Sequence, residues 1–551
     1  MMRTIVSVLI ASCAVAACSG TSSPTEMAAR APDAEPAVTA PVLEVIAEGA
    51  NIAGANGIHF GPDGLLYITS VIGSDITVVD PQSGEEIKRF TAEDGVIGPD
   101  DIAFASDGSF YWTSILAGQV AGFNPDGEKI IAAQLPPGPN PITFSNDDRL
   151  FVSQCFLGTN LYELDPAGDK PPRLIADDLG PGCGLNGMDW GPDDRLYGPR
   201  WFAGEVVSYN VDTNERRTEA TGFVTPAAIK FDSQGVLHVL DTATGELIRL
   251  EDVERTVIAT LTPGLDNFAF DTDDTPFISS YADGFIKRVN ADGSITTIQP
   301  GGIAHPGGVA ILGDIVWVAD VHAIRGFDRK TGEEVETQRN VVGMGDLGGS
   351  INLSVDGENL VLTSWFDGDV RLWDPVTKQR LAHYPNLAGP VAAVRYAGGL
   401  AIAEHYKGGV FLYGADEQPI ALAEGLSAPT GLFAADGALY VGDRELGQIS
   451  LIARDGVALD APEIIATDLE APEGFLVTAQ GIIVVEAAAA RVTLIDATGT
   501  RRVLAEIPAG SPETPGLPPS QIFNGIAMDE DGSLFITGEG ARVLYRIKAP
   551  W

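Results

Sequence analysis

Residues 182–200 read GCGLNGMDWGPDDRLYGPR, and residues 523–536 read FNGIAMDEDGSLFI. Both carry Asn-Gly, an apolar–x–apolar triplet, a turn of Asp and Gly, and a second apolar run. The phrase recurs along the chain. Its triplets begin at Ile58, Ile102, Ile142, Met188, Ile229 and Phe268, then at Val309, Leu353, Val394, Leu432, Phe475 and Ile526. Successive copies lie 38 to 51 residues apart, a period that marks a repeat architecture. Each copy continues through a GPDG-like turn to a second run such as LLYITS or SLFITG. A third run (DITVVD, EVVSYN) follows, and a DPxxGE-like turn then leads to a fourth (RLIADD, RVLAEI).

Four short runs of period two with Gly/Asp turns predict one antiparallel four-stranded blade. Blades arranged radially form a β-propeller, and known rings commonly hold four to eight. Twelve blades therefore predict an all-β chain of two tandem six-bladed β-propellers, with seven plus five as the other arrangement. Residues 42–47 (PVLEVI) resemble a fourth strand with nothing before it, and the last unit stops after its third strand, Val543–Ile547. A borrowed strand would close each ring: residues 42–47 completing blade six, and residues 295–299 (ITTIQ) completing blade twelve. The domains expected are 42–292 and 293–551, with the junction near Asp292-Gly293.

The N-terminal residues are read separately. Arg3 and the apolar run after it end in Val15-Ala16-Ala17-Cys18, similar to a bacterial lipoprotein box. The resemblance implies a signal peptide over 1–17, lipidation of Cys18 and, with Ser19 following, an outer-membrane anchor facing the periplasm. Residues 18–41, polar and Pro-rich, predict a flexible tether. An exported chain meets an oxidising compartment, so Cys155 and Cys183 are expected to form a disulfide. Lys and Arg total 34 against 76 Asp and Glu. Such a surface repels nucleic-acid phosphates and anionic lipid, leaving a small-molecule substrate or a protein as partner, with the membrane met only through the lipid anchor.

The repeated phrase, grouped by six, resembles the gluconolactonase/senescence marker protein superfamily, which includes calcium-dependent phosphotriesterases and the looser NHL-repeat proteins. The resemblance implies a divalent cation, commonly calcium, held in the central channel by Glu, Asn and Asp. The residue two before each triplet is expected at the channel mouth. In the first half these are Asn56, Asp100, Asn140, Asn186, Ala227 and Asp266; in the second, Gly307, Ile351, Ala392, Thr430, Glu473 and Asn524. The first set is the richer in hard oxygen donors. Asn, Asp and Gly also suit tight turns, so a turn role for them stands beside the metal role. Asn56 departs from the family's Glu. Asp241 stands where family members carry a metal-binding or proton-transferring Asp, so Asp241 or Asp266 is the expected base. Arg200 is expected either to bind an anionic substrate group or to pair with a channel acid.

In the second half, Asp320, Glu404, His405, Asp443 and Glu486 end second strands, and with Glu473 they form a second candidate pocket. Gly343-Met-Gly345-Asp-Leu-Gly348 matches GxGxxG, but a strand follows where a dinucleotide fingerprint needs a helix. Three functions stay open: a metal-dependent lactone or ester hydrolase in the first ring, a non-catalytic binding lipoprotein, and a lyase-type enzyme in the second ring resembling streptogramin lyases.

Overall fold

The structure, a computed structural model, describes residues 41–251, 254–414, 418–508 and 524–551. The lipoprotein features at 1–40, Cys18 among them, lie outside the described residues. The described chain forms twelve antiparallel sheets of four strands each. Its helical structure among those residues is three single turns, and none of its helices is long and apolar enough to cross a membrane.

The sheets close into two rings of six. Blade one (inner strand Ile58–Phe60) lies against blade six (inner strand Leu265–Phe270). Ile58, Leu66 and Ile68 of blade one pack there with Phe277 and Ile286 of blade six. Blade seven (inner strand Val309–Leu312) meets blade twelve (inner strand Ile526–Met528) in the same way, through Val316, Val318, Phe535 and Leu544.

A polar seam accompanies this packing. The buried hydroxyl of a second strand donates to the carbonyl of the neighbouring blade's mouth residue: Thr69 to Asp100, and Thr113 to Asn140 at 2.6 Å. The seam runs across both closures, from Ser279 to Asn56 at 2.6 Å and from Thr537 to Gly307 at 2.5 Å. Thr and Ser therefore stand inside otherwise apolar strands because a buried carbonyl of the next blade needs a donor.

The glycine of the Asn-Gly phrase has a different cause from the turn expected. A Cβ on Gly187 would lie 2.4 Å from the Cβ of Ala228, and one on Gly57 would lie 2.5 Å from the Asp101 carboxylate. Neighbouring inner strands pass too close for a side chain there, so glycine marks close approach rather than a reversal.

The strand pairing corrects the expected closure. Leu43–Ala47 pairs with Val543–Ile547 and completes blade twelve, while Ile295–Gln299 is the fourth strand of blade six. Asp292 and Gly293 sit in a hairpin turn of blade six rather than between rings. Blade twelve lacks a fourth strand of its own, so it takes the free strand with which the described chain begins; blade six already has four. Ring one is thereby spliced into ring two. The chain leaves ring two after Ala47, builds six blades, and returns beside its own exit, where the Ala50 amide donates to the Ile303 carbonyl at 2.8 Å.

Gly49 lies in this crossing, where a Cβ would meet the Arg542 carbonyl at 2.2 Å and the Ile303 carbonyl at 2.3 Å. Gly49→Val is expected to destabilise the fold by about 1–3 kcal/mol through overpacking. A chain beginning at Glu48 should show a lowered melting transition for ring two with ring one's preserved. Calorimetry of both variants checks this; coincident, unshifted transitions would contradict the splice.

Candidate functional site

The first ring's mouth residues converge. The Asn140 amide donates to Asp100 Oδ2 at 2.9 Å, and the Asn56 amide hydrogen-bonds Asp266. Asn186, 6% exposed, turns its Oδ1 to the Gly187 amide at 2.9 Å. The fifth mouth position, Ala227, is fully buried beside Trp201 and Tyr281.

Deeper along the same strands lies a second tier that the sequence reading missed. Asp101 accepts from the Asn267 amide at 3.1 Å and from the backbone of Ile142 in the next blade, also at 3.1 Å. Asp189 accepts from the backbone of Phe231 at 2.9 Å. Lys230 donates to the Met188 carbonyl at 3.1 Å. The signal for this tier was available: Asp101 and Asn267 directly follow the mouth residues, and Asp189 and Lys230 are the middle residues of their triplets. One ammonium thus stands among four carboxylates.

The electrostatics follow from that imbalance. Burial, reinforced by the Asp101 charge, pushes Asp266 up to about 7, partly offset by the Asn56 hydrogen bond. Burial also holds Asp100 well above the usual carboxylate range, with Asp266 and Asp101 adding repulsion. His59 is pushed down to about 4 by burial and by Lys230, and so stays neutral.

The donors suit a hard cation in kind: two carboxylates and three amides, with no thiolate among them. Both carboxylates rise toward protonation where no positive charge neutralises them, and a cation would relieve that. Among the described residues, no group of three or more His, Cys, Asp or Glu is close enough to hold a metal ion. An ion at this mouth would therefore depend on amide oxygens and water for the rest of its shell.

Other sequence candidates sit apart from this convergence. Asp241 accepts from the backbone amides of Val224, Thr225, Ala243 and Thr244, and ties the strand end to the loop before its own blade. The structure does not bring it together with Asp266. Arg200 pairs with Glu205 at 2.6 Å rather than with a channel acid. Cys155 and Cys183 form the expected disulfide, joining the end of a blade-three strand to the loop before blade four.

In ring two, the strand-end acids repeat the role of Asp241. Asp320 takes the amides of Ala304 and His305 and the Arg325 guanidinium. Asp443 takes Ser427 and Ala428, Glu404 takes Ala388, and Glu486 takes Glu470. Tyr413 and Lys407 complete Glu404, and His405 packs against Trp365 with ring centroids 5.5 Å apart. Glu473 reaches the mouth of ring two, where Asn524 donates to it twice at 2.8 Å.

Apart from these and Thr430, whose hydroxyl donates to the Pro472 carbonyl at 3.0 Å, ring two's mouth is apolar, and ring one covers it. Val71 and Ile72, from the turn after a blade-one strand, join the cluster of Val321, Ile351, Trp365 and Ala392. The two rings thus meet mouth to mouth. Tyr281 of ring one stacks edge-on with His322 of ring two at 4.9 Å, and Arg325 bridges to Asp283 at 2.8 Å.

No family model matches this chain, and no curated protein does. Among solved structures, a streptogramin B lyase is 19% identical, covering 50% of this chain and 94% of its own, with a TM-score of 0.38. Virginiamycin B lyase from Staphylococcus aureus is 15% identical, covering 51% of this chain and 96% of its own, TM-score 0.38. The extracellular domain of a one-component system from B. thetaiotaomicron is 12% identical over 92% of this chain and 82% of its own, TM-score 0.33. At that identity and superposition, none assigns an activity here.

Asp266 generates a pH test. Its folded carboxyl titrates near 7 and its unfolded one near 4, so between those values the unfolded chain binds fewer protons. In chelator, stability should fall as pH rises from about 4 to about 7. Asp266→Asn should flatten that slope and raise Tm at pH 7, by about 2–4 °C for each kcal/mol relieved. A slope unchanged in the variant would contradict the burial of this charge.

Proposed function

We propose that ring one is a metal-dependent hydrolase of the lactone or ester type, as in the gluconolactonase-like enzymes its repeats resemble. One observation carries this reading: Asp100, buried, and Asp266, half-buried, stand at one channel mouth, with the Asn140 amide bonded to the first and the Asn56 amide to the second. Asp100, Asn140 and Asn186 would hold a divalent cation, most simply calcium, with Asn56 beside them. When bound, the ion would polarise the substrate carbonyl and make water more acidic.

The chain's own residues supply the rest. Asp266, titrating near neutrality, accepts the proton of the attacking water at its carboxylate and returns it to the departing alkoxide. The Asn56 amide holds that carboxylate in place. Trp201 and Tyr281, both buried, keep bulk water from the mouth. Asp241, saturated by backbone donors, serves the scaffold in this reading. The disulfide accords with an exported protein, and lipidation at Cys18 with outer-membrane anchoring belongs to the same proposal.

Calcium titration by calorimetry, together with a screen of γ- and δ-lactones and 4-nitrophenyl esters, tests this. Wild type is expected to bind one ion and lose turnover on chelation. Asn186→Ala should weaken binding roughly tenfold or more, as loss of a metal-orienting group does, and lower turnover with it. Full turnover in chelator, or unchanged calcium affinity in Asn186→Ala, would overturn the reading and leave the rings as a binding surface.

A further inference from the structure

The rejected glycine motif has a place in the fold. Residues 340–348, from ring two, lie across the mouth of ring one. Trp201 Nε1 donates to the Val342 carbonyl at 3.0 Å, and the Tyr281 hydroxyl donates to the Asn340 carbonyl at 3.1 Å. Val341 and Val342 pack on Trp201, Tyr281 and the mouth residue Ala227. Gly343, Gly345 and Gly348 all take left-handed conformations, at φ 71°, 79° and 68°. The motif therefore folds a compact loop, with Val341 bridged to Met344, rather than a phosphate cradle.

Both ends of the loop are fixed to one short stretch of ring two. The Asn340 amide donates to the His322 carbonyl at 2.8 Å, and Ser350 bridges to Val321. Between these anchors, the loop holds ring one through two hydrogen bonds, two valines and the close approach of Gly343 to the Phe202 ring. Its other side lines a cleft of about 380 Å³ between the rings, where Val224, Thr225 and Ala243 of ring one face Val341, Met344 and Leu347 of ring two. Thr225 lies two residues before Ala227. The loop is thus a single layer between the cleft and the channel mouth.

We propose that residues 340–348 gate ring one's channel, and that the cleft they line takes the apolar acyl or aryl part of the substrate. Ring two then completes ring one's pocket and sets its chain-length preference. The substrate clause rests on the hydrolase reading; the gate does not. One side of the cleft is apolar (Val224, Ala243, Val341, Met344, Leu347 and Trp373) and would discriminate substrates by bulk, while Gln338, Arg339, Asp346 and Lys378 give the rest of its wall a polar, charged character.

Hydrogen exchange of the full chain, Val341→Ala/Val342→Ala against wild type, tests the gate. Amides in residues 184–188 and 264–268 should exchange roughly fivefold faster while ring one's outer strands keep their rates, since local opening is separable from global unfolding. Unchanged exchange at those segments would overturn the gate, as would uniform acceleration across ring one. Met344→Ala, at a residue 39% exposed, tests the cleft with no demand on the fold. The ratio of KM for 4-nitrophenyl octanoate to that for the acetate should rise roughly tenfold. Equal changes for both esters would overturn the cleft assignment. If wild type hydrolyses neither ester nor lactone, the hydrolase reading and its substrate clause fall together, and the exchange result still decides the gate.

Discussion

The interaction on which the architecture depends is a hydroxyl inside an apolar strand, donating to a carbonyl of the next blade. Blade packing alone is non-directional: Ile, Val and Phe of adjacent sheets would tolerate a range of angles. The donors Thr69, Thr113, Ser279 and Thr537 fix one register, because a buried carbonyl left without a partner costs about 1–3 kcal/mol. Each such bond ends on the carbonyl of a mouth residue. The same contact that seals two blades therefore positions the side chain facing the channel, and the mouth of ring one is a by-product of how the ring is closed.

From that shared frame the rings diverge through what covers them. Ring one places Asp100, Asp266 and three asparagines at its mouth. Ring two places Ile351 and Ala392 at equivalent points, and Val71 and Ile72 of ring one pack into the same cluster. A carboxylate at position 351 or 392 would be buried against valine and isoleucine without compensation. The apolar part of ring two's mouth is thus explained by its neighbour, and its polar residues, Thr430, Glu473 and Asn524, sit on blades ten, eleven and twelve.

Blade number, strand order within a blade and the mouth residues of ring one were legible in the sequence, because each depends on local periodicity repeated twelve times. What was not legible depends on partners distant in the chain. Residues 42–47 and 295–299 have similar patterns, and only pairing with Val543–Ile547 distinguishes them. Asp241, Asp320 and Glu404 look like catalytic acids at strand ends; the backbone amides that occupy them come from loops with no motif of their own. Asp101 and Lys230 were overlooked for the opposite reason, since a charge within an inner strand looks like the solvent-facing half of an ordinary alternation.

The splice of ring one into ring two bears on how a shared pocket can persist. Two domains on a single linker meet through a modest, polar interface and move by default. Here two adjacent passes of chain join the rings, tied to each other at Ala50 and Ile303. Arg325, nearly fully buried, adds bonds from ring two to the Ala282 carbonyl and to Asp283, while Asp320 and Glu334 on its own ring neutralise it. Removing one member of such a network leaves a buried charge uncompensated, so the arrangement is specified as well as held. His305 reinforces it by hydrogen-bonding the Tyr281 backbone where Gly54 leaves room for the imidazole. With rotation between rings blocked at blades six and seven, opening of the mouth falls to the short loop at 340–348. Because Val341, Met344 and Leu347 of that loop also wall the cleft, the shape of the cleft and the opening of the mouth are coupled.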